Sequence, residues 1–75
     1  MTRDEQLRIL GRNIAYYRKL RNLSQLELSE LCNLSRTHIS NVEACNMKTS
    51  ISLDALLNIA DALDVPVTSL LEFDK

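Results

Sequence analysis

Residues 24–43 leave room for two short helices and little else. Gln25 to Cys32 carries Leu28, Leu31 and Cys32 as an apolar stripe, and Ile39 and Val42 recur at helical spacing in the next stretch. Only Asn33, Leu34 and Ser35 lie between the two. A connection that short forces a sharp, fixed angle between its helices. The local signals agree with it. Ser24 and Glu27 have the spacing of a capping box, Asn33 is a side chain that tolerates a left-handed stop, and Ser35 can cap the helix that follows. Ser29 supplies the small side chain needed where two helices cross.

The rest of the chain also reads as helix. One glycine and one proline in 75 residues leave few turns for a β-sandwich, and fourteen leucines favour helices. Thr2 and Glu5 form another capping box, behind which Leu7, Leu10, Ile14, Tyr17 and Arg21 recur at helical spacing. The first helix is therefore predicted to run to about Arg21 and stop at Asn22. After Glu43 the periodicity fails over residues 44–51, which predicts a loop with Cys45 as a loop thiol. Ser52 caps a fourth helix, with Asp54 at its positive end and Leu53, Leu56, Leu57, Ala60 and Leu63 as its expected buried face. Asp64 interrupts it, and Pro66 opens a short fifth helix through Leu71. The prediction is an all-α, compact five-helix fold forming one domain over residues 1–75.

Several function classes fall away. No stretch approaches the roughly 18 apolar residues of a membrane span, and the start of the chain is too polar and acidic for a signal peptide, so a cytoplasmic protein is expected. With one histidine and no glycine-rich phosphate loop, no nucleophile, base and orienting group can be assembled, and no enzyme is expected. Cys32 is expected in the core. Cys32, His38 and Cys45 lack a fourth ligand for zinc, so neither metal nor cofactor is expected.

The net charge of −1 hides an asymmetry. Residues 1–48 hold eight Lys/Arg against five Asp/Glu, a net of +3, whereas residues 49–75 hold one against five, a net of −4. One half suits a polyanion and the other does not. Within the basic half, turning Ile39 and Val42 inward puts Arg36, Thr37, Ser40 and Asn41 on the opposite face, with His38 beside them. An arginine fork matches the paired acceptors of guanine, an asparagine amide can bond adenine bidentately, and threonine offers a methyl to thymine. No Asp, Glu or Lys interrupts residues 36–41, unlike an ordinary solvated helix face. The pair of helices thus has helix-turn-helix geometry and a face suited to double-stranded DNA.

The stretch LSQLELSELCNLSRTHISNVE, residues 23–43, resembles the helix-turn-helix of the lambda-repressor/Cro superfamily, the Xre-type regulators. The resemblance spans residues 10–71, from LGRNIAYYRKLRNLSQ to ISLDALLNIADALDVPVTSLL, and RTHIS is similar to controller proteins of restriction–modification systems. It implies a sequence-specific transcription regulator, a repressor for instance, with its helix-turn-helix unit at 24–43 and its third helix in the major groove. Arg36, Thr37, Ser40 and Asn41 match base-facing positions. Gln25 matches a phosphate contact, Ser35 and His38 stand at the same approach to the backbone, and Asn46 and Lys48 match a loop that grips it. Arg18 and Glu43 match a structural pair bridging the first and third helices. Asn22, Asn33 and Asp64 stand where the family has glycine, Cys45 where glycine is frequent, and the loop after Glu43 is longer.

One reading helix covers few base pairs, so specificity calls for a homodimer on two half-sites ~34 Å apart. Val67, Leu70, Leu71 and Phe73 are the apolar residues expected to form its interface, in a dimerisation region at about 53–75. Two alternatives share the fold: an antitoxin-like DNA-binding partner of a toxin, and a protein-interaction module that has lost DNA binding.

Overall fold

Among the described residues, four of the five helices open on a hydroxyl side chain that accepts a backbone N–H inside the first turn: Thr2 from Glu5, Ser24 from Glu27, Ser35 from His38 and Ser52 from Ala55. The computed structural model describes residues 1–45 and 50–73. Its helices are α1 (Arg3–Leu20), α2 (Gln25–Cys32), α3 (Arg36–Ala44), α4 (Leu53–Leu63) and α5 (Val67–Leu70). Both predicted capping boxes close in both directions, Glu5 on Thr2 and Glu27 on Ser24. The Thr2 N–H and then its hydroxyl, bonded to Glu5, hold that carboxyl below the usual glutamate range. Pro66 opens α5 without a side-chain cap.

Left-handed residues separate the helices, and none of them is glycine. Asn22, Asn33 and Asp64 have φ of 58°, 59° and 58°. The fourth, Cys45 at 55°, ends α3 one residue beyond the expected boundary, and its N–H bonds the Asn41 carbonyl. Asn and Asp tolerate this conformation through local hydrogen bonding, whereas a cysteine side chain gives no such sign, and the one signal for Cys45 is that the family resemblance places glycine there.

Ile14, Leu28, Ile39, Ile59, Leu63 and Leu70 are fully buried, joined by Leu10, Cys32, Val42 and Leu56. Burial pushes the Cys32 thiol up, as expected of a core cysteine. Three leucines expected inside are outside: Leu31 is 61% exposed, Leu53 67% and Leu57 40%. α4 buries Ala55, Leu56, Ile59, Ala60 and Leu63 instead. The reason lies in its composition. Apolar residues span more than half of the circumference of α4, so spacing alone admits more than one inward stripe; the buried one lies opposite the polar stripe of Asp54, Asn58 and Asp61, which Leu53 and Leu57 flank.

Two further contacts lock α1 into place. Gly11 is buried in the crossing of α1 and α3, where a Cβ would run into the Val42 carbonyl oxygen and approach Glu43 Cα to 3.2 Å. Asn13 is buried too, and its Nδ2 donates to the carbonyls of Leu70 at 3.1 Å and Glu72 at 3.0 Å. That pins the end of α5 against α1. It also corrects the expected interface. Leu70 has no exposed surface and belongs to the monomer core; Val67 and Phe73 are half-buried against that core, and Leu71 alone of the four is exposed. Among the described residues no helix is long and apolar enough to cross a membrane.

Candidate nucleic-acid interface

The turn between α2 and α3 is built from backbone bonds. The N–H groups of Asn33 and Leu34 both reach the Ser29 carbonyl, Leu34 at 2.9 Å, and Ser29 itself is buried with its hydroxyl donated to the Leu26 carbonyl at 2.7 Å. Ser29 therefore fits the crossing because it is small and carries no unpaired hydrogen-bonding group. Ile39 and Val42 fasten α3 to the core from one side. On the other side Arg36 and Thr37 are exposed, and Ser40 and Asn41 are half-exposed. No acid stands among them.

Behind this face, two side chains converge on Glu43, through three hydrogen bonds. Arg18 grips its carboxylate with two prongs, Nε to Oε2 at 2.7 Å and Nη2 to Oε1 at 3.0 Å. The remaining prong, Nη1, donates to the Leu23 carbonyl at 2.8 Å, so α1, the α1–α2 turn and the end of α3 are joined through one guanidinium. The side chains of the pair are 11% and 7% exposed, which sets it apart from a surface ion pair. Gln25, at the start of α2, adds the third bond to the carboxylate, Nε2 to Glu43 Oε1 at 3.0 Å. This last bond had no signal in the sequence, because it depends on how α2 and α3 dock.

The remaining expected positions are less uniform. Ser35 caps α3 through its Oγ, accepting the His38 N–H at 3.0 Å, and the His38 side chain is half-buried. Asn46 and Lys48 lie outside the described residues. Arg21, counted with the basic half, is engaged within the protein: its Nε donates to the Leu63 carbonyl at 2.9 Å and its Nη2 to the Asp64 carbonyl at 3.2 Å, at the C-terminal end of α4. A cation there complements the helix dipole. Arg18 and Arg21 are thus structural, while Arg3, Arg8, Arg12 and Lys19 remain exposed on α1 and Arg36 on α3.

Gly11 and Asn13 are the residues the sequence reading passed over. Their signals were available: a glycine inside a helical run with no turn to serve, and an asparagine beside Ile14 on the buried face.

Comparisons with known proteins agree with this geometry. A helix-turn-helix family model matches residues 14–70. The control protein C.SmaI of Serratia marcescens is 40% identical over 63 residues, covering 84% of this chain and 73% of that protein. The transcriptional regulator SinR of Bacillus subtilis is 33% identical over 64 residues, covering 85% of this chain but only 57% of SinR. Among solved structures, the hypothetical transcription factor NHTF from Neisseria superposes with a TM-score of 0.83 at 33% identity, covering 89% of this chain and 73% of that one. SinR in complex with DNA superposes with a TM-score of 0.77 at 33% identity, covering 84% and 98%. These relatives are regulators rather than enzymes. The chain belongs to the helix-turn-helix family, among its Xre-type DNA-binding transcription regulators.

Proposed function

We propose that this protein regulates transcription as a homodimer on a palindromic operator, with α3 of each copy in the major groove. The observation that carries the proposal is the face of α3. Arg36, Thr37, Ser40 and Asn41 stand outward without an acid among them, on a helix held from behind by the Arg18–Glu43–Gln25 cluster. Arg36 and Asn41 read base edges, and Thr37 and Ser40 add a methyl and a hydroxyl. Gln25, Ser35, His38, Asn46 and Lys48 hold the phosphate backbone and set the register without reading sequence. The copies meet through the exposed edge of α4, at Leu53 and Leu57, and through Val67, Leu71 and Phe73; Leu53 and Phe73 line one shallow cleft. A symmetric dimer then spaces the two reading helices by about one DNA turn, ~34 Å.

Site selection from random duplexes tests the reading face. Arg36→Ala and Asn41→Ala should each cost about 1–3 kcal/mol on the preferred duplex and leave melting unchanged, since both side chains point away from the core. Gln25→Ala and Lys48→Ala should instead weaken every duplex alike, and losing Lys48 should flatten the log–log salt slope by roughly 0.9. Equal weakening of preferred and random DNA by Arg36→Ala would make Arg36 a phosphate clamp. Binding to no duplex at all, with fragmented genomic DNA as the probe, would return the fold to a protein-interaction module.

Sedimentation tests the dimer. Leu71→Asp should shift the monomer–dimer equilibrium toward monomer and leave the melting of the monomer intact. Leu70→Ala should lower stability by about 2 kcal/mol or more at every protein concentration, because it opens a cavity in the core. A parent protein that stays monomeric at tens of micromolar, with and without DNA, sinks the dimer.

A further inference from the structure

Gln25 stands between two anions, one in the protein and one in its proposed ligand. Its Nε2 already donates to Glu43 Oε1 at 3.0 Å. A phosphate accepts hydrogen bonds and cannot donate them, so the Gln25 side chain can hold one only through the second N–H of the same nitrogen. Those two N–H bonds diverge by about 120°, which puts a bound phosphate oxygen roughly 5 Å from Glu43 Oε1. An uncompensated carboxylate at that distance repels the phosphate it is meant to help place, and its low exposure leaves little solvent to screen it.

Arg18 resolves the conflict. Its fork covers both carboxylate oxygens, at 2.7 and 3.0 Å, and the Leu23 carbonyl holds the guanidinium in that orientation at 2.8 Å. Glu43 can then accept from Gln25 while the pair carries no net charge. We infer that Arg18 is a positioning residue for DNA binding that cancels the Glu43 charge, so that Gln25 can bridge Glu43 and a DNA phosphate. The inference rests on the proposed phosphate contact of Gln25. It gives Arg18 an effect on affinity for all duplexes, with no contact to DNA, in addition to its bracing of α3.

The test compares Arg18→Met with the double variant Arg18→Met/Glu43→Gln in the full chain. Each binds a random-sequence duplex and the preferred duplex at low temperature, with the folded fraction measured by circular dichroism. Arg18→Met should weaken both duplexes by about tenfold or more, and adding Glu43→Gln should restore most of that loss. The brace is missing from both variants, and affinities corrected for the measured folded fraction separate relief of the charge from relief of the folding penalty of a stranded carboxylate. A double variant that binds no better than Arg18→Met overturns the inference. Should Arg18→Met prove unfolded, Glu43→Gln alone decides: it keeps an acceptor for Gln25 and should bind the random duplex at least as tightly as the parent, and weaker binding overturns the inference. Gln25→Ala tests the underlying contact separately. If it leaves both affinities unchanged, the phosphate contact itself is wrong; if it weakens both while Glu43→Gln rescues nothing, the contact stands and the charge cancellation falls.

Discussion

Replacing Gly11 with alanine is expected to destabilise the protein severely, although the same change in most helices does the reverse. In a helix interior alanine is favoured over glycine by about 1 kcal/mol. Here the new Cβ would run into the Val42 carbonyl oxygen and lie 3.1 Å from the Glu43 carbonyl oxygen and 3.2 Å from Glu43 Cα. All three obstacles are backbone atoms of α3, which cannot rotate aside as a side chain would. Relief requires moving α3 away from α1, and overpacking of this kind costs about 1–3 kcal/mol, more when backbone must shift. Displacing α3 also draws Glu43 away from Arg18, so the expected net loss is about 3 kcal/mol or more. A domain of this size has only ~4–11 kcal/mol in all. Chemical denaturation measures it directly. Gly11→Ala melting at or above the parent midpoint would mean that the close approach of α1 and α3 imposes no constraint.

Breaking the Arg18–Glu43 pair from one side should be comparably severe. Arg18→Ala leaves a carboxylate whose side chain is 7% exposed without its cation, and Glu43→Ala leaves a guanidinium that is 11% exposed without its anion. Removing one member of a buried pair costs about 3–5 kcal/mol, because the survivor is stranded away from water. Arg18→Ala also orphans the Leu23 carbonyl, which loses a 2.8 Å bond. Replacing both partners together, as Arg18→Met with Glu43→Leu, should recover much of the stability, since packed apolar side chains often substitute for a buried pair without loss. It should not recover DNA affinity, because Gln25 would have no acceptor at Glu43. Single variants that lose less than about 1 kcal/mol would class the pair with ordinary exposed ion pairs.

Helix ends were legible because they depend on neighbours a few residues away. Thr2, Ser24, Ser35 and Ser52 cap the first turn of their own helices, and Asn22 and Asn33 turn the chain through their own backbone angles. The two-helix unit followed from the three-residue connection, and Ser29 from the need for a small residue at the crossing. The polar face of α3 was equally visible, since inward Ile39 and Val42 leave Arg36, Thr37, Ser40 and Asn41 only one direction to point.

What the sequence by itself determined, then, is the set of helices, their limits and the one face that differs chemically from an ordinary surface. Docking decided the rest. α4 is apolar over more than half of its circumference, and its packing on α2, α5 and α1 leaves Leu53 and Leu57, beside the Asp54, Asn58 and Asp61 stripe, outside and draws Ala55 and Ile59 in. Leu70 belongs to the core because Asn13, 57 residues earlier, holds its carbonyl against α1. Gly11 matters only once α3 crosses over it, and Gln25 finds Glu43 only when α2 and α3 meet at their fixed angle. Capping and periodicity act over a single turn of backbone, whereas burial and side-chain pairing between distant elements exist only after the helices have packed.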